Sequence, residues 1–251
     1  MNKVIPAPPS ASSPQSAHPS CRAKPVARCF WMGAPALVVV LALAACSNSP
    51  PAPEWQMNAK GSAERATQAW LVGDARIEAA EFARVRSALS STGQPALLAR
   101  AELLRCATRV ASLVFEPCAG FDALAADAAP AEQAYARYLM GTATPADAPL
   151  LPEAHRALVS AGTSSPDAAL NAIQDPLSQL VAAGVLLRSG RASDAVAERA
   201  VGTSSARGWR RPLLAWLSVQ HQRAQAAGAA DEAARLQRRI DLVQGKTSAA
   251  R

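Results

Sequence analysis

Aromatic and charged residues are scarce in this sequence, and the shortage bears on its fold class. Phe, Trp and Tyr make up 4% of the 251 residues and charged residues 18%, whereas Ala alone occupies 60 positions. Ala has the highest helix propensity, and strands favour aromatic and β-branched residues. The composition therefore argues against a β-sandwich or barrel and predicts an all-α fold. An apolar fraction of 50% argues against a disordered chain.

Acidic residues are absent from the first 53 positions, so the formal charge of +7 is misleading. From residue 46 onward the chain carries 22 bases and 19 acids, a net charge of +3. This balance is not that of a nucleic-acid-binding protein. The charges are unevenly placed, because residues 46–175 have a net charge of −4 and residues 176–251 a net charge of +7.

Catalytic and metal-binding motifs are also missing. Only two histidines, His155 and His221, follow residue 46, and each stands alone. The sequence contains no H-E-x-x-H, no paired C-x-x-C, no G-x-S-x-G and no G-x-G-x-x-G. We therefore expect a binding protein rather than an enzyme, with no metal and no cofactor apart from the covalent lipid inferred below.

The N-terminal segment has the order of a secretory signal peptide. A basic region over 1–33 precedes twelve apolar residues, 34–45, which end at Cys46. Twelve helical residues span ~18 Å, well short of the ~30 Å hydrocarbon core of a bilayer. A single transmembrane anchor remains the alternative, because the uncharged stretch widens to 18 residues if it is counted from Cys29.

The residues Leu43-Ala44-Ala45-Cys46 resemble the lipobox of bacterial lipoproteins, and Arg28 supplies the charge upstream. The resemblance implies that Cys46 receives a diacylglycerol, that residues 1–45 are removed, and that the new amine is acylated. Ser47 follows the cysteine, whereas Asp there retains lipoproteins of this family at the inner membrane. The resemblance thus implies an outer-membrane lipoprotein that faces the periplasm.

The domain boundaries follow from this interpretation. Residues 1–45 form the signal peptide, whose basic region is longer than necessary and suggests a true start near Val26. Residues 46–53 form the lipidated cysteine and a Pro/Ser-rich tether, residues 54–245 a helical domain, and residues 246–251 a C-terminal tail. Within the domain, Ser165-Pro166 and Asp175-Pro176 combine an N-cap with a proline in the first turn and therefore predict helix starts.

Three glycines are followed within three to five residues by an aspartate, which predicts antiparallel helical hairpins: Gly162 by Asp167, Gly190 by Asp194 and Gly228 by Asp231. The five-residue steps from Gly190 to Ala195 and from Gly228 to Ala233 resemble the turns of tetratricopeptide repeats over residues 176–244. This resemblance implies a stacked α-solenoid. The spacings between glycines are 28 and 38 residues instead of the repeat's 34, so an irregular helical bundle remains the alternative.

Cys106 and Cys118 are the only thiols left once Cys46 is lipidated. In an oxidising envelope they predict a disulfide, with free buried thiols as the alternative; a redox pair would have the shorter C-x-x-C spacing. Cys106 lies in a predicted helical run over 96–115. Because a disulfide needs Cα atoms within ~7 Å, that helix must end early or the chain must fold straight back.

The polar cluster that most suggests a binding site is Arg207-Gly-Trp209-Arg210-Arg211-Pro212. Three guanidinium groups around Trp209, before a helix predicted to open at Pro212, suit a phosphate, a carboxylate or a protein partner. The alternative is a solvated loop whose tryptophan packs on its neighbours.

These observations predict a lipid-anchored envelope protein that acts as a scaffold or assembly factor and binds another envelope protein or a peptide. The alternative is an accessory module that binds peptidoglycan or lipopolysaccharide through its basic C-terminal half. Nucleic acid is not an expected partner, and the sequence gives no indication of the oligomeric state.

Overall fold

Helices account for all the regular structure in the computed structural model, which describes residues 52–160 and 165–246. Over those ranges it contains eleven α-helices, two short 3₁₀ segments and no strand, as the composition predicted. The first six helices are α1 (Glu54–Val72), α2 (Ala75–Ser90), α3 (Pro95–Ala111), α4 (Ala119–Asp122), α5 (Pro130–Leu139) and α6 (Glu153–Val159). The remaining five are α7 (Pro166–Ala172), α8 (Pro176–Arg188), α9 (Asp194–Ala206), α10 (Arg210–Ala226) and α11 (Ala230–Val243). The 3₁₀ segments span Ala125–Asp127 and Pro145–Leu150.

Side-chain caps fix several helix starts. Asp175 accepts a hydrogen bond from the Ser178 amide at 2.7 Å at the start of α8, and Ser165 accepts one from the Ala168 amide at 3.3 Å at the start of α7. Both starts predicted from sequence are therefore confirmed. Their physical basis is local, because each cap satisfies an amide that has no partner inside its own helix.

One predicted helix limit is confirmed in its conditional form, and another is wrong. The helical run over 96–115 ends early, at Ala111, as a Cys106–Cys118 disulfide was expected to require, and Leu113 turns the chain back with a left-handed φ of 59°. The helix assigned to Pro212 begins two residues earlier, at Arg210, with Trp209 as its N-cap. Pro212 is still accommodated, because the amides of the first turn of a helix need no partner within that helix.

The helices pack in sequential antiparallel pairs, among them α1 with α2, α9 with α10, and α10 with α11. Two further contacts join distant parts of the chain, since α3 packs on α8 and α10 packs on α1. In a linear repeat array each unit touches only its neighbours. The long-range contacts therefore favour the irregular bundle over the open solenoid.

The apolar core has a large and a small part. The large cluster draws on α3, α8 and α10 among other helices, and it includes the fully buried Leu180 and Trp216. At this crossing Gly184 approaches the backbone of α3 so closely that a Cβ would overlap the Val110 carbonyl oxygen. The small cluster lies between α1 and α2 and is built from Ala59, Ala66, Phe82, Val85 and Leu89.

The lipobox, Cys46 and the signal segment lie outside the described residues, as do Gly162 and residues 247–251. Among the helices of residues 52–160 and 165–246, none combines the length and the apolar character needed to cross a bilayer.

Candidate functional site

The two cysteines predicted to pair are joined as a disulfide, with their Cα atoms 5.8 Å apart. Cys106 lies on α3, and Cys118 is the residue immediately before α4. The early end of α3 and the turn at Leu113 bring the second cysteine back alongside the helix. The bond therefore fixes the segment after α3 against α3 itself.

Two members of the predicted arginine cluster face the interior. Trp209 is 6% exposed, and its indole N–H donates to Gln68 Oε1 at 3.1 Å. Arg211 donates through Nε to the Trp70 carbonyl oxygen at 2.9 Å, and its guanidinium lies 3.9 Å from the centre of the Trp70 ring. These contacts hold the start of α10 against the end of α1.

The other two arginines of the cluster face solvent. Arg207 and Arg210 are exposed, and neither forms an ion pair with a carboxylate in the described part of the chain. Arg207 lies over the outer face of Trp209, at 5.4 Å from the ring centre. The segment thus offers two of its three guanidinium groups to an anion or a partner.

Neither histidine is placed as an accessible acid–base group with an oriented partner. His155 is 2% exposed, its Nδ1 lies 3.0 Å from the Tyr138 hydroxyl, and burial lowers its pKa to about 4. Burial also raises the pKa of Tyr138. His221 is half-buried on α10. No cluster of three or more His, Cys, Asp or Glu side chains within 52–160 and 165–246 is arranged to hold a metal ion.

The sequence interpretation missed a groove between α3, α5 and the 3₁₀ segment Pro145–Leu150, which we call the α3–α5 groove. Its volume is about 370 Å³. Its lining is mainly apolar, with Leu104 and Leu150 on the surface at 36% and 42% exposure. The remaining apolar and aromatic walls are formed by Leu103, Ala131, Tyr135, Leu151 and Pro152.

One ion pair, Arg100 with Glu132, interrupts the apolar lining of the groove. Arg100 donates through Nε and through a terminal nitrogen to Glu132 Oε1, at 2.9 and 2.6 Å. The Arg100 side chain is 69% exposed, whereas that of Glu132 is 6% exposed. The second carboxylate oxygen, Oε2, is buried and has no hydrogen-bond partner. Glu132, whose Oε2 is buried and unsatisfied, therefore lies in the wall of a mainly apolar groove.

A polar cavity of about 220 Å³ lies beside the disulfide and is lined in part by Arg105 and Arg109. Both guanidinium groups already contact Glu78, Arg105 through two hydrogen bonds of 2.7 and 3.1 Å. Arg109 also lies 4.3 Å from the centre of the Trp70 ring. These arginines are engaged in holding α2, α3 and α1 together.

No protein-family model, no curated protein and no solved structure matches this chain.

Proposed function

We propose that this chain is a lipid-anchored binding protein of the bacterial envelope, which holds a segment of another envelope protein in the α3–α5 groove. The observation that carries the proposal is the groove itself, in which two leucines stay exposed beside a wall of apolar side chains. Concave apolar sites with a few polar groups are the usual form of binding sites in proteins. Exposed apolar patches likewise mark interaction surfaces.

The anchor is supported by the lipobox-like residues that end at Cys46. Two or three acyl chains give stable membrane attachment, because each buried CH₂ contributes ~0.8 kcal/mol. In the described part of the chain the first helix begins at Glu54, so the seven residues 47–53 separate it from Cys46 in the sequence. Ser47 directs the protein to the outer membrane in this proposal, and a Cys106–Cys118 disulfide suits an oxidising periplasm.

A role in binding accounts for the polar residues better than a role in catalysis. Of the two histidines in the described ranges, His155 has a hydrogen-bonded partner in Tyr138 and is buried with it in the core. A general base must reach the proton that it removes, and a depressed pKa near 4 makes imidazole a weak base. The proposal therefore assigns no reaction and no cofactor to this chain.

A second candidate function is the binding of an anionic envelope component, such as peptidoglycan or lipopolysaccharide. It is favoured by Arg207 and Arg210, which are exposed at the junction of α9 and α10. Such binding would weaken steeply as salt rises, because exposed charges are screened within about 8–10 Å near physiological ionic strength. Contact through the apolar groove would be much less sensitive to salt.

Site-specific crosslinking in intact cells tests the proposed groove. A photo-crosslinking amino acid at Leu150 should give a discrete adduct with a partner protein. The matched control is the same residue at Leu242, which is 63% exposed on α11 and lies outside the groove. Equal adducts at both positions, or none at Leu150 while the reagent reacts elsewhere, would refute the groove as the partner's site.

The anchor has a separate test. Cys46→Ala should leave an uncleaved precursor without acyl chains, which mass spectrometry of the intact protein would detect. Maturation of the variant at the same position would show that residues 43–46 are not a lipobox.

Arg207→Glu and Arg210→Glu test the second candidate function, the binding of an anionic envelope component. If that candidate holds, these variants should abolish salt-sensitive binding to lipopolysaccharide vesicles.

A further inference from the structure

We infer that the α3–α5 groove accepts a tryptophan side chain of the partner protein, and that its indole N–H donates a hydrogen bond to Glu132 Oε2. This inference rests on the proposed function, because it names the chemistry of the segment that the groove holds. It is carried by three features of the groove: the unsatisfied carboxylate oxygen, the aromatic and cationic walls, and the apolar remainder.

The unsatisfied oxygen is the first argument. Arg100 directs both of its donors to Glu132 Oε1, and Oε2 has none although the glutamate is 94% buried. Buried polar atoms in native proteins nearly always have a hydrogen-bond partner, and an unsatisfied one is destabilising. A ligand with one N–H group would satisfy this atom once the carboxylate turns Oε2 toward the groove, because the atom is closed to solvent in this structure. Hydrogen bonds to an ionised acceptor are also stronger than neutral ones.

The walls of the groove favour an aromatic ligand. Tyr135 contributes a ring from α5, and Arg100 contributes a largely exposed guanidinium at the rim. Aromatic rings prefer stacked or edge-to-face contacts with each other, and a guanidinium is attracted to the face of a ring, most strongly to that of tryptophan.

Other side chains fit these features less well. Leucine and phenylalanine have no donor, so Glu132 Oε2 would stay unsatisfied beneath them, as it would beneath a lipid acyl chain. Lysine has three donors for one acceptor, and its charge would be repelled by Arg100. Tryptophan has a large apolar ring system and a single N–H, which matches a mainly apolar groove with a single acceptor.

A pair of small probes isolates the proposed hydrogen bond. We would titrate the full chain in nanodiscs with N-acetyltryptophanamide and with its benzothienylalanine analogue, in which sulfur replaces the indole N–H. Ligand-observed NMR would measure both affinities, with empty nanodiscs as the blank. We expect the tryptophan compound to bind about tenfold or more tightly than the analogue, as for the loss of a hydrogen bond to a charged group.

Two variants locate the effect. Leu150→Glu places a charge in the groove and should abolish binding of both probes. Glu132→Gln should remove the preference for tryptophan, because the amide offers Arg100 an acceptor but presents a donor where Oε2 stood. If Glu132→Gln fails to fold, the probe pair on the unaltered chain still decides the question.

The outcomes separate the inference from the proposed function. Equal binding of the two probes, or no binding of either, overturns the tryptophan inference even where Leu150 crosslinks to a partner. A tenfold preference that Glu132→Gln removes supports it. Probe binding without any adduct at Leu150 would instead refute the docking of a protein partner while leaving the groove's chemistry as inferred.

Discussion

The two parts of the helical domain use their acidic side chains in opposite ways. Over residues 52–160, five carboxylates are buried, and each is paired with arginine: Glu78, Glu81, Glu102, Glu132 and Asp147. Over residues 165–246, no acidic side chain is buried. The first part is thus held together partly by ion pairs between helices, whereas the second depends on apolar packing.

The hydrogen-bond partners of arginine side chains also differ between the two parts. In the second part they bond mainly to backbone carbonyl oxygens. Arg223 donates to the carbonyls of Ala192 and Ser193 at 2.8 and 2.9 Å, and Arg191 donates to that of Leu158 at 3.3 Å. Arg191 thereby satisfies a backbone acceptor without neutralising its own charge, whereas Arg223 also pairs with the Asp194 carboxylate at 2.8 Å. The basic excess of the C-terminal half is therefore partly a consequence of how its helices are connected.

The burial of carboxylates in the first part changes how the net charges of the two halves of the sequence should be interpreted. The net charge of −4 over residues 46–175 suggests an acidic surface opposite a basic one. Five of those acids are buried, however, and several of their arginine partners are exposed to solvent instead, such as Arg86 and Arg100 with side chains 48% and 69% exposed. The surface of the first part is consequently less acidic than the sequence indicates, which weakens an electrostatic polarity between the two ends as an explanation of function.

The largest effect is expected where the second part meets the first. Trp216 is fully buried on α10, and its indole N–H donates to the Ala111 carbonyl at 3.3 Å. We expect Trp216→Ala to lower the free energy of unfolding by about 3–5 kcal/mol, because it opens a cavity in the large cluster. Trp55→Ala, at a half-buried position beside the small cluster, should lower it by roughly half as much. Urea unfolding of both variants would measure this, and equal losses would show that the two clusters contribute alike.

A second comparison sets a buried ion pair against an exposed one. Glu78 is 4% exposed and holds Arg105 and Arg109, whereas Glu232 pairs with Arg235 on the surface of α11. Glu78→Gln should be destabilising by about 3 kcal/mol, since it leaves partly buried guanidinium groups uncompensated. Glu232→Gln should change stability by less than about 0.5 kcal/mol. A large effect at Glu232 would contradict the contrast between the two parts.

Local chemistry explains which structural features could be predicted from sequence. Asp175 and Ser165 cap their helices through bonds to residues three positions ahead, so the sequence alone identifies both starts. The end of α3 depends instead on the chain folding back, and the start of α10 on Trp209 packing against α1. Those limits follow from contacts between distant residues, which local propensity does not encode.

The α3–α5 groove could not be predicted for the same reason. Leu104, Glu132 and Leu150 come from three segments, and no short motif joins them. The arginine cluster was visible as a motif, but its sequence does not reveal that Arg211 turns inward to a helix about 140 residues earlier. Among the candidate site residues, only the two cysteines could be recognised as a pair in the sequence and also had to meet a distance limit. They form a disulfide in the structure.

Measuring the free energy of unfolding against pH separates the contribution of a buried histidine in the core from that of an ion-paired carboxylate. Burial lowers the pKa of His155 from 6.5 to about 4, although the negative charge of Asp175 opposes the shift. As the pH falls, His155 is therefore protonated in the unfolded chain before it is protonated in the folded one. Its contribution to the free energy of unfolding is complete above pH 6.5 and is lost as the pH drops toward 4, by about 3 kcal/mol. The pKa of Glu81 is also lowered: burial raises it, but the Arg65 and Ser62 side chains outweigh that effect.

The contribution of Glu81 should therefore be lost only below pH 4.5, in a different window from that of His155. His155→Gln keeps an acceptor for Tyr138 and should flatten the curve between pH 6.5 and 4.5. Urea unfolding at several pH values measures the slope. A flat curve for the unaltered chain would contradict the burial of a neutral imidazole.

The smallest effects concern two helical glycines that differ only in their surroundings. Gly184, on α8, faces the Val110 carbonyl of α3 across the contact between the two parts, whereas Gly202, on α9, has no atom within 4 Å of an added Cβ. Gly184→Ala should be destabilising by about 1–3 kcal/mol, because the backbones of α3 and α8 must separate. Gly202→Ala should be stabilising by up to about 1 kcal/mol, through helix propensity alone. Thermal unfolding would measure the change in stability of each variant. A loss for Gly184→Ala with a gain for Gly202→Ala would confirm that α3 and α8 are in close backbone contact where the two parts meet. A gain for both variants would show that these two helices can separate without loss of stability.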